Sequence, residues 1–96
     1  MTFKIKRSHN ILGTTYKTKF LKKLDWFMGL CKFKEKEIHI APHDSLYELK
    51  HTLLHEIIHA TCHESGANQT QVIELEEVLC TVLATAILKN YDITNY

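Results

Sequence analysis

A single five-residue run, His55-Glu56-Ile57-Ile58-His59, constrains the fold of this chain more than any other feature of its sequence. Two histidines four positions apart lie one turn apart on a helix, close enough to share one metal ion. The glutamate between them cannot join that pair, but it can handle a proton over the same face. Zinc chemistry needs both roles, with neutral imidazoles as ligands and a carboxylate beside them. The run therefore predicts a helical site that binds a metal.

The residues around this motif support a helix with one buried face. Its apolar residues recur at helical spacing and comprise Leu46, Leu49, Leu53, Leu54, Ile57 and Ile58. At about 100° per residue, His55 and His59 fall together at one border of this arc, and Glu56 falls beyond His59. We therefore expect the histidines to face a cleft. His51 and His63 continue the four-residue spacing, but the pairs that they form enclose no glutamate, so we interpret them as rim residues.

Length and composition favour one small globular domain, residues 1–96. The chain is 45% hydrophobic and 24% charged, which is typical of a folded protein rather than a disordered one. No apolar run approaches the roughly 18 residues of a membrane span, and residues 1–4 do not open a signal peptide. The three cysteines form no C-x-x-C pair, so we expect reduced thiols and a cytoplasmic location.

Charge is distributed unevenly along the chain, although the net charge is only +1. Residues 1–36 carry ten Lys and Arg against two acids, or +8, and residues 37–96 carry two Lys against nine acids, or −7. A basic lobe of this kind can bind an acidic protein or nucleic acid. We favour the simpler interpretation of a solvated face, because no nucleic-acid motif or aromatic interleaving accompanies the charge.

The residues before the motif predict a strand, a helix and a hairpin. Residues 3–6 alternate between apolar and charged side chains, which is typical of a half-buried strand. Residues 8–15 are predicted as a loop. From Tyr16 to about Met28, apolar residues recur at three and four with lysines between them, which predicts an amphipathic helix that ends at Gly29. In residues 30–41 apolar and polar side chains alternate again, and this segment is predicted as a hairpin.

Two more helices follow in this prediction. Asp44 or Ser45 caps the motif helix, which runs to about His63 before a stop at Gly66. The last helix runs from about Thr70 to Asn90. Its broad apolar face should pack against the motif helix and comprises Val72, Leu75, Leu79, Val82, Leu83, Ala86 and Ile87. The predicted fold class is α+β, with a small antiparallel or mixed sheet and three helices.

A catalytic zinc usually has three protein ligands, so two histidines leave the site incomplete. The extended motif H-E-x-x-H-x-x-G-x-x-H is absent, because Thr61-Cys62-His63 follows Ala60. We therefore expect a carboxylate from the start of the last helix, where Glu74, Glu76 and Glu77 lie. On a helical wheel Glu76 falls among apolar residues and Glu77 at their border. The wheel alone slightly favours Glu76, since a buried carboxylate needs a partner.

The segment Leu53–Ala60, followed by Glu76-Glu77 and Leu83-Ala84, resembles small zincin-type metallopeptidases of bacteria and phages. The most similar group is the ImmA/IrrE-like family, which includes minimal phage members. The resemblance covers roughly residues 29–90. It implies a minimal zincin-like α+β fold, in which a hairpin leads into the helix that carries the motif.

The same resemblance bears on the third ligand. In that family the ligand glutamate is followed by a small residue three positions on, a polar residue four positions on, and then an apolar-Ala pair. Glu77 fits this pattern, with Cys80 as the small residue and Thr81 as the polar one. The resemblance therefore implies that His55, His59 and Glu77 bind the metal, Zn²⁺.

The function implied by the resemblance is a zinc-dependent metallopeptidase with Glu56 as the general base. Its partner would be a peptide or protein substrate, in the host cytoplasm if the chain is phage-encoded. The strand Ile38-His39-Ile40 could accept the substrate as an added strand. Four side chains are candidates for stabilising the oxyanion, namely His51, His63, Tyr47 and Tyr91.

Two other hypotheses remain open on the sequence alone. The first is a zinc-stabilised interaction module without hydrolysis, in which Cys62 or His63 closes the metal site and the basic lobe binds a partner. The second is a plain α+β domain whose histidines are incidental, which metal analysis of the purified protein would distinguish. No pattern in the sequence predicts an oligomeric state.

Overall fold

The computed structural model describes residues 7–22, 28–66 and 73–90, and these residues form four strands and two helices. The elements are β1 (Ser8–Ile11), β2 (Thr14–Phe20), β3 (Gly29–Lys32), β4 (Glu37–Ile40), α1 (Leu46–Ser65) and α2 (Ile73–Asn90). The strands make one mixed sheet in the order β1-β2-β4-β3. The predicted α+β class with a small mixed sheet is therefore confirmed.

The first hairpin, β1–β2, corrects the prediction of a loop at residues 8–15 and of a helix from Tyr16. The two strands pair antiparallel, and the side chain of Asn10 accepts a hydrogen bond from the backbone N–H of Gly13 in the turn. Tyr16 and Thr18 are buried while the residues between and after them are exposed, which is the period of a strand. Pairing within the sheet overrides the helical spacing of the apolar residues there.

The described residues contain two helices, so the prediction of three is wrong at the N-terminal one. Its second half falls on residues 23–27, outside the described residues, but its first half is β2. The strand predicted at residues 3–6 also lies outside the described residues. Neither described helix combines the length and the apolar character that crossing a membrane requires.

Strand β4 lies inside the sheet, and this position corrects another prediction. It pairs in parallel with β2, where Thr18 is opposite Ile38, and antiparallel with β3, where Cys31 is opposite Ile38. Both edges of β4 are therefore occupied, so Ile38-His39-Ile40 cannot accept a substrate strand. The edges of the sheet are β1 and β3.

The β3–β4 hairpin and the cap of α1 are confirmed. The side chain of Ser45 accepts a hydrogen bond of 3.1 Å from the backbone N–H of Glu48. At the other end Gly66 adopts a left-handed conformation with φ of 81°, and its N–H donates to the carbonyl of His63. Glycine adopts this conformation without a Cβ clash, so Gly66 is the predicted stop, although the helix runs to Ser65 rather than to about His63.

Helix α1 covers one face of the sheet and fixes the orientation of the motif. The buried core between them comprises Ile11, Tyr16, Ile38, Ile40, Leu49, Leu53 and Ala60. Each large apolar side chain buried here contributes about 1.5–3 kcal/mol relative to exposure. Because Leu49 and Leu53 occupy this core, the half-buried His55 and His59 lie at its border.

Helix α2 packs against α1, as predicted, but through a different face. Cys80 and Ala84 are fully buried, whereas the predicted contact residues Leu75 and Val82 are 50% and 55% exposed. Leu79 and Leu83 are exposed as well. The side of α2 that faces α1 is thus formed by small residues, preceded by the acidic first turn of the helix. The start predicted at Thr70 lies outside the described residues.

Candidate metal centre

Helix α1 brings the two motif histidines together. The Nε2 atoms of His55 and His59 are 3.2 Å apart, and the ring centroids are 4.8 Å apart. Burial lowers the pKa of His55 and so favours the neutral ring, which is the form that binds metals. The spacing of one helical turn therefore produces a pair of imidazole nitrogens directed to a common region, as the sequence predicts.

Helix α2 adds a carboxylate to this pair. Oε1 of Glu77 lies 2.7 Å from Nε2 of His59, and Oε2 lies 3.2 Å from Nε2 of His55. One ligand atom from each of the three residues lies within 4.8 Å of the others, so the group could hold a metal ion. Two imidazole nitrogens and one carboxylate match the donor set of catalytic zinc sites. That these residues bind a metal remains a prediction.

Glu76, which the helical wheel slightly favours as the third ligand, contacts the other ring nitrogen of His59. Its carboxylate accepts a hydrogen bond of 2.6 Å from Nδ1 of His59, on the opposite side of the ring from Glu77. Burial would lower the pKa of His59, but hydrogen bonding to Glu76 and the charges of Glu56 and Glu77 outweigh burial and raise it. Glu76 therefore orients the ring and leaves Nε2 directed to the centre of the group.

Thr81 contacts the outer nitrogen of the other histidine. Its Oγ1 lies 3.4 Å from Nδ1 of His55. If Nδ1–H donates to this hydroxyl, the lone pair of the neutral ring is on Nε2, facing Glu77. The residue that the resemblance places at the polar position, four after Glu77, thus lies next to a metal-site histidine.

The motif glutamate, Glu56, faces the edge strand β3. It is 8% exposed, and its carboxylate accepts a hydrogen bond from the backbone N–H of Cys31. Burial raises the pKa of Glu56 to about 7, although the charge of His59 and the hydrogen bond from Cys31 oppose the shift. A carboxyl group with a pKa near neutrality can both accept and release a proton at physiological pH.

Gly29, at the start of β3, allows this close approach. A Cβ at this position would lie 2.5 Å from Cγ2 of Thr52 and 3.1 Å from Cγ of Glu56, so no larger residue fits without a shift. The helical spacing before Gly29 predicts a helix end at this residue and does not predict its contact with Thr52 and Glu56. A glycine directly before a strand pattern is the signal that could have revealed it, since glycine in a strand often marks a close backbone approach.

A comparison with known families supports this geometry. The family model Peptidase_M78, described as the IrrE N-terminal-like domain, matches residues 12–93. The chain belongs to this family. No curated protein and no solved structure matches it.

Membership of the Peptidase_M78 family confirms the resemblance to ImmA/IrrE-like proteins. It indicates a metallopeptidase-like function, which implies peptide or protein substrates and a bound metal. The group of His55, His59 and Glu77 is where this Peptidase_M78 domain could bind one.

Three of the four candidates for oxyanion stabilisation fall in the described part of this Peptidase_M78 domain, and these three lie outside the metal-site group. His63 stacks on Phe33 with 4.3 Å between ring centroids, and Nε2 of His51 lies 3.0 Å from Oγ1 of Thr85. In the part of the chain that the structure describes, neither histidine joins the metal-site group. Tyr47 is exposed beside His51. The fourth candidate, Tyr91, lies outside the described residues.

Proposed function

We propose that this chain is a zinc-dependent metallopeptidase and that residues 1–96 form one zincin-like domain. The observation that carries the proposal is the convergence of His55, His59 and Glu77. Catalytic zinc sites use three protein ligands because a fourth position must remain open to water or substrate. The closed metal site of a non-catalytic module would need a further ligand, and among the described residues none joins this group.

Glu56 would act as the general base in this proposal. Zinc, when bound, acidifies water and polarises a peptide carbonyl. Glu56 would take a proton from the attacking water and deliver it to the leaving amine. Its burial supports this role, because burial raises the pKa of the carboxyl group to about 7. A base with a pKa near the working pH accepts a proton and then releases it without a large penalty in either step.

The edge strand β3 is the proposed site of substrate binding. It lies next to Glu56, which contacts the backbone of Cys31, and among the described strands it pairs with β4 alone. A peptide that adds to β3 as a further strand would pass along Glu56 and the metal-site group. The three cysteines form no disulfide in the described part of the chain, which fits the further proposal that the protein works in the cytoplasm.

The test compares the wild-type protein with Glu56→Gln, using cleavage of a proteome-derived peptide library measured by mass spectrometry. Glutamine keeps the size of the side chain but cannot take a proton, so we expect cleavage to fall by about 10²-fold or more. We expect both proteins to retain about one equivalent of zinc by elemental analysis, because Glu56 is outside the ligand group.

Glu74→Gln is the matched control, since Glu74 is an exposed acid in the first turn of α2. It should leave cleavage and zinc content unchanged. Undiminished cleavage by Glu56→Gln would refute the assigned base. A wild-type protein that holds zinc but cleaves no peptide would instead favour the non-catalytic interaction module.

A further inference from the structure

A cavity of about 570 Å³ opens beside the candidate metal centre. Its lining includes Met28, Tyr47, Glu48, His51, Thr52 and Thr85. His51 and Thr52 precede His55 on α1 by about one turn, and Thr85 lies one turn beyond Thr81 on α2. The cavity therefore lies about one helical turn from the metal-site group, toward the N-terminal end of α1. Its size is in the range of about 300–1,000 Å³ that is usual for ligand pockets.

The hydroxyl of Thr52 donates a hydrogen bond to His43 and so has no proton left for a ligand. Nδ1 of His43 lies 2.7 Å from the carbonyl oxygen of Ala41, which can only accept, so Nδ1 carries the proton. In the neutral ring Nε2 is then an acceptor, and it lies 2.8 Å from Oγ1 of Thr52. Thr52 therefore donates to His43, and its oxygen retains only accepting capacity.

The hydroxyl of the second threonine in the lining, Thr85, also donates a hydrogen bond within the protein. Thr85 donates to the carbonyl oxygen of Thr81 at 2.9 Å. A hydroxyl has one proton, so the contact of 3.0 Å between Thr85 and Nε2 of His51 must have the histidine as donor. In the neutral ring this leaves Nδ1 of His51 as an acceptor.

The lining thus offers acceptors and one negative charge. The two threonine oxygens and the ring of His51 can accept hydrogen bonds, and Glu48 is the only acidic side chain among the described residues that line the cavity. Met28 and Tyr47 supply apolar surface beside them. A group with several N–H donors, a positive charge and an apolar stem complements this arrangement, and the side chains of arginine and lysine have that chemistry.

We propose that this cavity binds a basic side chain of the substrate, arginine or lysine, on the carboxy-terminal side of the cleaved bond. The proposal rests on the peptidase function proposed above. Strand β3 runs in the same direction as α1, because Gly29 lies near Thr52 whereas Phe33, just after β3, stacks on His63. A peptide that pairs antiparallel with β3 would pass the metal-site group and then leave at the Met28 end, beside the cavity.

The first experiment tests binding without cleavage. The amide resonances of the zinc-loaded full chain would be followed by NMR during titration with arginine amide, with the neutral isostere citrulline amide as the matched ligand. We expect shifts at Glu48, His51 and Thr85, and an affinity for arginine amide at least about threefold higher than for citrulline amide. Equal affinities, or shifts confined to other residues, would overturn the proposal.

Glu48→Gln should abolish this threefold preference. Glutamine is as acceptable as glutamate three residues after the capping Ser45, so the helix should fold normally. Glu35→Gln is the control, because Glu35 is an exposed acid in the turn between β3 and β4 and is not in the lining. A preference that survives in Glu48→Gln would contradict the role given to that carboxylate.

The second experiment uses the cleavage sites found in the peptide library. We expect arginine and lysine to be enriched at least about threefold in the residue directly after the cleaved bond, and less so for Glu48→Gln. Enrichment before the bond, or none at all, would overturn the proposal while leaving the peptidase function intact. If no variant cleaves but arginine amide binds as expected, the peptidase function fails and the basic-group site stands.

Discussion

At His59 both ring nitrogens face a carboxylate, and the two carboxylates differ in what they can do. Glu77 contacts Nε2 of His59 and also contacts His55, whereas Glu76 contacts Nδ1 of His59. A group that hydrogen-bonds the outer nitrogen of a ligand histidine fixes its tautomer and increases its basicity. Glu76 should therefore affect metal affinity without binding the metal.

We predict that Glu76→Gln lowers zinc affinity by about tenfold, since a neutral amide holds Nδ1–H of His59 less strongly than a carboxylate does. Competition with a chromophoric chelator measures the change. Glu77→Gln should weaken binding considerably more, because it removes a ligand, and Glu74→Gln should have no effect. Equal losses for Glu76→Gln and Glu77→Gln would mean that both carboxylates coordinate the metal.

A second carboxylate, Glu64, connects the end of α1 to the sheet. It accepts hydrogen bonds from Tyr16 at 2.6 Å, from Lys36 at 2.8 Å and from Thr14 at 3.1 Å. The hydrogen bond from Lys36 is the main cause that lowers the pKa of Glu64 from 4.5 to about 2. A carboxyl group with a depressed folded-state pKa stabilises the fold fully above its unfolded-state pKa, and this contribution is lost as the pH falls toward the folded-state value.

We predict that Glu64→Gln lowers the melting temperature of the metal-free protein at pH 6 and that the difference from wild type narrows as the pH falls from about 4.5 toward 2. Thermal unfolding of both proteins in the presence of a chelator measures this. Removing the metal matters, because histidine ligands also take up protons in acid. A difference that stays constant over this pH range would show that Glu64 acts through packing rather than through its charge.

At the level of elements, the close contact between β3 and α1 depends on the absence of a side chain at Gly29. We predict that Gly29→Ala destabilises the protein by about 1–3 kcal/mol and reduces cleavage, because the new Cβ would lie 2.5 Å from Cγ2 of Thr52 and push against Glu56. Chemical denaturation measures the stability.

The double variant Gly29→Ala with Thr52→Ser provides the control for this prediction. Serine deletes the methyl group that the Cβ would meet and keeps the hydroxyl that contacts His43. The second substitution should therefore recover most of the lost stability. If it recovers nothing, the cost of alanine arises from the strand backbone rather than from the contact with Thr52.

Helix α1 could be predicted from the sequence because local signals and tertiary packing agree there. Ser45 and Gly66 supply chemically specific ends, and Leu49 and Leu53 lie on the buried face that their spacing predicts. In β2 the signals conflict. The alternation of Tyr16 and Thr18 with lysines indicates a strand, but it competes with a helical spacing of apolar residues that continues to Met28. Only the pairing with β1 and β4 decides between them.

The packing of α2 shows a different limit of sequence analysis. Its leucines and valines predict the buried face by hydrophobicity, yet the fully buried residues among the described side chains of α2 are Cys80 and Ala84. The site explains this choice, since the face with small residues also presents Glu76, Glu77 and Thr81 to the two histidines. A helical wheel that ranks positions by hydrophobicity does not include this polar network, whereas the family pattern selects Glu77, which lies in the group that could hold a metal ion.

At the scale of the whole molecule, the charge asymmetry of the sequence is partly cancelled by the fold. Lys19 pairs with Glu37, and Lys36 pairs with Glu64, each at 2.8 Å, so basic residues of the first third contact acids of the remainder. These pairs support the interpretation of the basic lobe as a solvated face that balances an acidic one. In both pairs the carboxylate is less exposed than the lysine that it contacts.

A small domain with a modest core should depend on its metal. Zinc that binds only the folded state stabilises it by about 4 kcal/mol when free zinc is about 1,000 times its Kd, and about 1 kcal/mol moves the melting temperature of such a domain by about 4–8 °C. We therefore predict that zinc raises the melting temperature of the chelator-treated protein by roughly 15 °C or more. Magnesium should have little effect, because imidazole ligands suit zinc. Glu77→Gln should lose most of the increase and Glu74→Gln should keep it, since Glu77 contacts both histidines across the interface of α1 and α2. An equal increase in Glu77→Gln would show that zinc stabilises the fold through other residues.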